Sequence, residues 1–345
     1  MVEKNKYRTL FILLLLMTCS LFILDLSLGS VYIPFSDIIK IFIGSESSHE
    51  NWENIIFKFR IPKTFTALLV GVGLAISGLQ MQILFRNPLA GPFILGISSG
   101  ASLGVALLVL GGSGLTWLLD SINLSESNIG NAIAASFGSF GVLFIILALS
   151  RKLMDNVTLL IVGLMIGYLT SAFVSILMFF SRSEEIHSFM IWTFGSFSKV
   201  TQDQLWILSV LIMIGVIISI ILSKWLNALL LGESYAKSMG TPIQKARLWS
   251  IISTGLLAGS ITAFCGPIAF LGIAVPHLAR SLFNTSNHHV LLPAVILVGS
   301  IIALCCDIIS QVPGSQTTLP LNAITSLVGA PVVLWVVIRL KNLKA

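Results

Sequence analysis

R-N-P-L-A-G-P-F-I-L-G-I-S-S-G-A-S-L-G, residues 86–104, governs how the rest of the chain is read. It follows an apolar run, 63–84, already long enough to cross a bilayer. Pro88 and Pro92 prevent simple continuation of that helix, because each lacks an N–H and restricts the residue before it. Gly96, Gly100 and Gly104 then recur every four residues and present a smooth face to which another backbone can lie close. Hydrocarbon tolerates irregular backbone only where it is buried in protein or lines a cavity. The stretch therefore reads as a packed, functional bend between two membrane helices.

Composition agrees. The 345 residues are 56% hydrophobic and only 10% charged, against roughly 25% charged for a soluble domain. The chain is thus an integral membrane protein. No Gly is followed by Lys, so the phosphate-binding pattern G-x-x-x-x-G-K-[S/T] is absent, and no hydrophilic stretch is long enough for a separate soluble domain. Energy for any pumping must come from a gradient or another polypeptide. Cys19, Cys265, Cys305 and Cys306 lie in or beside apolar runs and read as small buried hydrophobes. The net charge of +6 needs no nucleic acid to explain it.

Windows near the roughly 20 residues that a spanning helix needs predict ten spans: about 9–28, 63–84, 93–111, 131–149, 158–180, 204–223, 247–265, 268–283, 290–309 and 324–340. The eighth is short and contains Pro276, so a broken helix is expected there. The first follows Lys4, Lys6 and Arg8 and reads as an uncleaved span. Residues 34–43 read as a short amphipathic surface helix. The expected class is an all-α polytopic membrane protein, one domain over 1–345, with both termini cytoplasmic.

Basic residues test that topology. The outer side keeps Lys40, Lys58, Arg60, Lys63, Arg182 and Lys199; the other 14 of the 20, including Arg86, Arg151, Lys152, Lys224, Arg280 and Lys344, fall inside. Lys58, Arg60 and Lys63 crowd the mouth of the second span. They read either as snorkelling side chains at a helix end or as a docking patch for an acidic partner. Within the apolar runs only Asp25 and Asp307 are acidic, both near outer ends. Ion-coupled carriers usually place carboxylates or His near the midplane, although backbone carbonyls also hold sodium. An ion-coupled secondary transporter therefore stays as an alternative.

The longest inner loop, 224–247, carries a helix-like mix of Leu, Ala, Glu and Lys over 227–239, closed by Gly240 and Pro242. It reads either as a surface helix at the headgroup level or as a cytoplasmic helix presented to a peripheral subunit. Residues 96–100 also spell G-x-S-x-G, the nucleophile-elbow pattern, and an intramembrane serine hydrolase would have to pair Ser98 with His277. Small residues are routine at packed membrane helices, and a five-letter match is weak. Gln80 and Gln82 read either as bonds to neighbouring helices or as a pore lining. His288-His289 reads as a solvated loop, since adjacent side chains on a helix do not face one way.

Ordered motifs now accumulate: R-I-P-K at 60–63, G-L-A-I-S-G-L-x-x-Q at 73–82, N-P-L-A-G-P-x-x-L-G-I-S-S-G-A at 87–101 and W-T-F-G-S-F-S at 192–198. L-G-E-S-Y-A-K-S-M-G follows at 231–240, then G-P-I-A-F-L-G-I-A-V-P-H-L-A-R at 266–280 and L-V-G-A-P-V-V-L-W at 327–335. Together they resemble the permease family of bacterial ABC importers for iron-siderophore complexes, haem and vitamin B12, the FecCD type.

The resemblance implies a permease, not an enzyme, in the bacterial cytoplasmic membrane, paired with a second permease copy. It implies two cytoplasmic ABC ATPase subunits, which use ATP and Mg, and an extracytoplasmic substrate-binding protein. This chain itself would bind no cofactor and no metal. Arg60 and Lys63 match positions where relatives meet carboxylates of the binding protein. Asn87 and Leu89 match a cytoplasmic gate, with Asn156 and Val157 as its second layer. Gly232, Glu233, Ala236 and Gly240 match the element that couples permease to ATPase, and Gly96, Gly100 and Gly104 line the packed pathway wall. The chain departs from the pattern at two positions: Lys63 stands where many relatives have Arg, and Gln311 where several carry a third docking Arg.

Overall fold

The computed structural model describes residues 2–29, 31–44, 49, 51–111, 128–150, 152, 156–312 and 317–342. Arg151 and Lys344, counted above among the inner cations, lie outside them. The described residues are helical, without strands. Each expected span coincides with an apolar helix. Seven of these are long and apolar enough to cross a membrane, and three, Ile97–Val109, Leu271–Phe283 and Leu321–Val336, are shorter.

In chain order, α1 is Val2–Ser27 and α2 is Phe35–Ile43, the expected amphipathic piece, ended by Gly44 at φ 74°. α3, Asn51–Ile55, runs through a π turn at Ile56–Arg60 into α4, Ile61–Leu84. The second span is therefore the end of a 34-residue helical run. Hydropathy does not extend the span over these first turns, because Glu53, Lys58 and Arg60 interrupt the run, although Trp52, Ile55, Ile56 and Phe59 form an apolar stripe at helical spacing.

A 3-10 turn at Pro92–Leu95 leads into α5, Ile97–Val109. α6 is Asn128–Ser150, α7 Asn156–Phe180 and α8 Ser183–Thr193. Thr201 caps α9, Gln202–Leu230, through a reciprocal bond pair with Gln204. α10, Glu233–Ser238, is a single short helix. α11 is Ile243–Cys265, α12 Leu271–Phe283, α13 His288–Ser310 and α14 Leu321–Asn342. Pro276 lies within α12 without ending it.

The helix expected over 227–239 is two pieces. α9 continues to Leu230, and Gly232 at φ 110° turns the chain before α10 begins. Helix-forming residues on both sides concealed the break, which only glycine adopts cheaply. Cys19 also departs from expectation: it is exposed on α1, whereas Cys265 and Cys306 are buried.

α4 is the central element: 89% of its membrane window is buried, against 17% for α7. α13, α11, α12 and α9 pack around it. The small residues explain how closely. A methyl added to Gly71 would meet the Gly299 carbonyl, and one on Gly78 would meet that of Gly272. Peripheral α1, α6, α7 and α9 instead expose apolar side chains such as Phe144 and Phe179, the pattern of helices that face lipid.

Polar side chains tie the same bundle. Gln80 Nε2 donates to Ser219 (2.7 Å) and Ser253 (3.2 Å), while its Oε1 accepts from Thr254 at 3.1 Å. Gln80 thus joins α4 to α9 and α11 and does not line an open pore.

Candidate functional site

Long-range polar contacts define the two ends of the bundle. At one end Lys63, near the start of α4, lies 3.1 Å from Asp307 and 3.6 Å from Asp25. Gln311 donates to both carboxylates, at 2.8 and 2.9 Å, and Thr64 donates to Asp25 at 2.6 Å. All five residues are buried. This hub joins α1, α4 and α13. Gln311 is a neutral strut between two carboxylates that already share one ammonium, where an arginine would have added a second cation.

Arg60 is also buried, at 6% exposure, and donates to the carbonyls of Leu26, Ser27 and Val31. Arg60 and Lys63 are both engaged within the chain, since Asp25, Asp307 and the end of α1 lie beside them, neighbours that hydropathy does not reveal. Lys58 is the exposed member of that trio. Lys199 is half-buried; its ammonium donates to the Ile191 carbonyl at 3.2 Å, and burial lowers its pKa below the usual lysine value. It shares a cavity of about 300 Å³ with Asp307, Gln311 and Leu319.

The Asn87 end carries the bend. Asn87 Oδ1 accepts from Leu89 N at 2.9 Å, and the Asn87 carbonyl accepts from Ala90 N at 3.0 Å, a side-chain-supported turn that Pro88 pre-sets. α12 braces it from outside. His277 Nε2 lies 2.7 Å from the Pro88 carbonyl. Arg280 donates to Gln82 Oε1 at 2.6 Å, and Gln82 Nε2 donates to the Ile273 carbonyl at 3.2 Å. Leu89, 37% exposed, is left at the surface of the turn.

His277 is engaged with Pro88, and no hydrogen bond joins it to Ser98. The serine lies on α5, whose glycine face is occupied by packing. A methyl on Gly100 would meet the Gly138 carbonyl and one on Gly104 that of Ala134, both on α6. Gly96 at φ 73° ends the 3-10 turn and lies against Gly163 of α7. The structure thus favours close packing over a serine-histidine pair. Asn156 opens α7 and Val157, in its first turn, is 61% exposed. No hydrogen bond connects Val157 with Asn87 or Leu89 within this chain.

The coupling candidates share the Asn87 end. Asn227, near the end of α9, pairs with Asn287 and His288 at the start of α13. α10 follows directly. Ala236 is fully buried, and Gly240 at φ 78° reverses the chain toward α11. Glu233 lies 3.8 Å from the buried Arg247, linking α10 to α11 across a cleft of about 600 Å³. Sequence reading missed Arg247 and Arg280 as ties, although each lies at a polar end of an apolar run, where a long cation reaches a neighbouring chain segment.

Known proteins place this arrangement. The FecCD transport family model matches residues 13–339. The vitamin B12 import system permease protein BtuC of Klebsiella pneumoniae is 34% identical over 339 residues, 98% of this chain and 95% of that protein. BtuC of Salmonella typhi is 34% identical over 289 residues, 83% of this chain and 84% of that one. A solved ABC transporter assigned to the metal-chelate type, in an inward-facing conformation, superposes with a TM-score of 0.82 at 29% identity, covering 96% of this chain and 99% of that one. These relatives and the apolar helices make the chain a multi-pass inner-membrane transport component, not an enzyme. Since the family match runs from the first apolar helix to the last, the chain belongs to the FecCD transport family.

Proposed function

We propose that this chain is the membrane-spanning half of an ATP-driven importer that carries cobalamin or an iron chelate, siderophore or haem, into the cytoplasm. The observation that carries the reading is the braced bend at the Asn87 end. A non-helical turn directly follows the central helix there, its Pro88 carbonyl met by His277 and the helix end before it by Arg280, both from a neighbouring helix, and it leaves Leu89 exposed. Such backbone belongs where protein or a passage surrounds it. The substrate class rests on relatives named for vitamin B12 import and on a solved relative of the metal-chelate type.

In this reading all ten apolar helices cross the membrane, and both termini are cytoplasmic. Two permease copies meet around the pathway, with Asn87, Leu89, Asn156 and Val157 closing its cytoplasmic mouth from both. Two partner ATPases use ATP and Mg and press on the segment that contains Gly232, Glu233, Ala236 and Gly240. A loaded binding protein docks over the Lys63 end. Because Arg60 and Lys63 are internally paired, they shape that platform, and exposed Lys58 with half-buried Lys199 supplies the charge that meets the partner's carboxylates. No nucleic acid takes part. ATP-driven closure of the ATPases biases the permease between two discrete packings, which is how such switches work.

Reconstitution with the ATPases and binding protein in vesicles tests this. Uptake of cobalamin or a ferric chelate that requires ATP and the binding protein is the expected result. Uptake that follows an ion gradient without the ATPases would overturn it in favour of a secondary transporter.

A further inference from the structure

α2 carries more apolar surface than its packing uses. Ile38 and Ile41 are buried in a small cluster with Leu26 at the end of α1, Ile33 and Ile56. On another face Phe35, Ile39, Phe42 and Ile43 recur at helical spacing, each between 42% and 73% exposed. Tyr32, just before the helix, is exposed as well. The remaining face, Ser36 and Lys40, is exposed and polar, and the Lys40 ammonium lies 3.1 Å from Asp37. The helix thus has a packed face, a polar face and an uncovered apolar face.

The chain fixes the level at which that last face stands. Ile33 N donates to the Ser27 carbonyl at 3.2 Å, and Ser27 Oγ donates to the Ile33 carbonyl at 2.7 Å, so the chain folds back as soon as α1 ends. Arg60 grips the same return through the carbonyls of Leu26, Ser27 and Val31. α2 therefore begins where the apolar span of α1 finishes.

The uncovered face also continues a surface that faces lipid. Only 17% of the membrane window of α1 is buried, and Ile23 and Leu24 stay exposed up to its last turn. Phe22 of α1 meets the exposed Phe65 of α4 edge-on at 5.1 Å, and Phe42 of α2 meets the exposed Phe57 in the same way at 5.8 Å. Phe57 and Phe65 stand about two turns apart on one helical run, so an exposed apolar band connects α1 with α2. Phe and Ile side chains without a charge suit acyl chains, not the carboxylates expected on a binding protein.

We propose that α2 lies in the membrane surface at the Lys63 end of the bundle and binds phospholipid there. Phe35, Ile39, Phe42 and Ile43 enter the boundary between headgroups and acyl chains, while Ser36 and Lys40 turn toward headgroups and water. Tyr32 takes the interfacial position that such amphipathic rings favour. The leaflet is the outer one in the orientation proposed above, and the contact itself does not depend on the importer reading. Through Arg60, the lipid-anchored helix sets the depth at which α4 starts.

Photo-crosslinking of the full-length permease in nanodiscs of phosphatidylglycerol and phosphatidylcholine provides the test. Benzoylphenylalanine replaces Phe42 on the apolar stripe, Leu24 as the lipid-facing reference, or Ser36 on the polar face. Phospholipid adducts, read by intact-protein mass, are expected at position 42 as abundantly as at 24 and several-fold more than at 36. Phe42 is exposed, so its replacement should keep the parent melting temperature, and Ile39 offers a second probe of the same stripe. Adducts at 24 with none at 42 or 39 would overturn the contact. Equal yields at 42 and 36 would overturn the assigned face. Permease dimers crosslinked through 42 would overturn it in favour of a second copy. Replacement of the lipid adduct by a binding-protein adduct, once that protein is added, would overturn it in favour of a docking surface. Failure of ATP-driven uptake with the lipid adduct intact counts against the importer reading alone.

Discussion

Lys63 and Asp307 form a buried ion pair, 3.1 Å apart, that joins the start of α4 to the end of α13. Asp25 of α1 shares the same ammonium at 3.6 Å. Removing the cation leaves two carboxylates facing one another out of water. Breaking a buried pair in this way costs about 3–5 kcal/mol. Lys63→Met should therefore lower the melting temperature of the purified permease by many degrees, and adding Asp307→Asn should restore part of it. A single variant that melts like the parent would show that the hub does not hold these helices together.

The hub shows where sequence reading reaches its limit. Asp25 and Asp307 were visible as the acidic residues within apolar runs, and Lys63 as a cation at a helix mouth. Each lies near one end of its helix. What hydropathy cannot supply is which spans are neighbours, so three charges that satisfy each other were read as separate features. Gln80 gives the same lesson. Its burial was legible, but its partners on α9 and α11 depend on packing around α4. The bend at 86–104 was legible throughout, because proline and glycine act locally.

The brace on that bend separates two chemistries. Pro88 offers its carbonyl to His277, and Gln82 accepts from Arg280. Loss of one partner to a buried polar group costs roughly 1–3 kcal/mol. Arg280→Met and His277→Ala should each lower uptake and loosen the turn, read as faster hydrogen exchange at Asn87 and Leu89. Ser98→Ala should leave uptake near the parent value, since no His277 contact is lost. Complete loss of activity in Ser98→Ala with the fold intact would revive the hydrolase.

Two glycines of the same pair of helices should behave in opposite ways. A methyl on Gly100 runs into the Gly138 carbonyl, whereas one on Gly141 meets nothing. Overpacking of a tight contact costs about 1–3 kcal/mol, and replacing an open helical glycine by alanine gains roughly 0.5–1 kcal/mol. Gly100→Ala should therefore melt earlier than the parent, and Gly141→Ala no earlier. Equal melting of the two variants would remove close packing as the reason for the Gly96, Gly100 and Gly104 repeat.

Gly232 isolates the coupling segment from the fold. Its φ of 110° is strained for any side chain, yet a methyl there touches nothing, so strain is the sole cost of Gly232→Ala. A residue forced into such a conformation costs on the order of 1–3 kcal/mol. With no neighbour against the added methyl, the strain should be relieved by a shift of α10 relative to the end of α9. Such a shift would change the 3.8 Å approach of Glu233 to Arg247 and with it the surface offered to a partner. In the assembled importer Gly232→Ala should lower substrate-stimulated ATP hydrolysis several-fold while the permease alone keeps nearly its parent melting temperature. Glu233→Gln, which removes the ionic tie without backbone strain, should do the same to a smaller degree. Parent-like stimulation in both variants would place the coupling surface elsewhere on this end of the bundle.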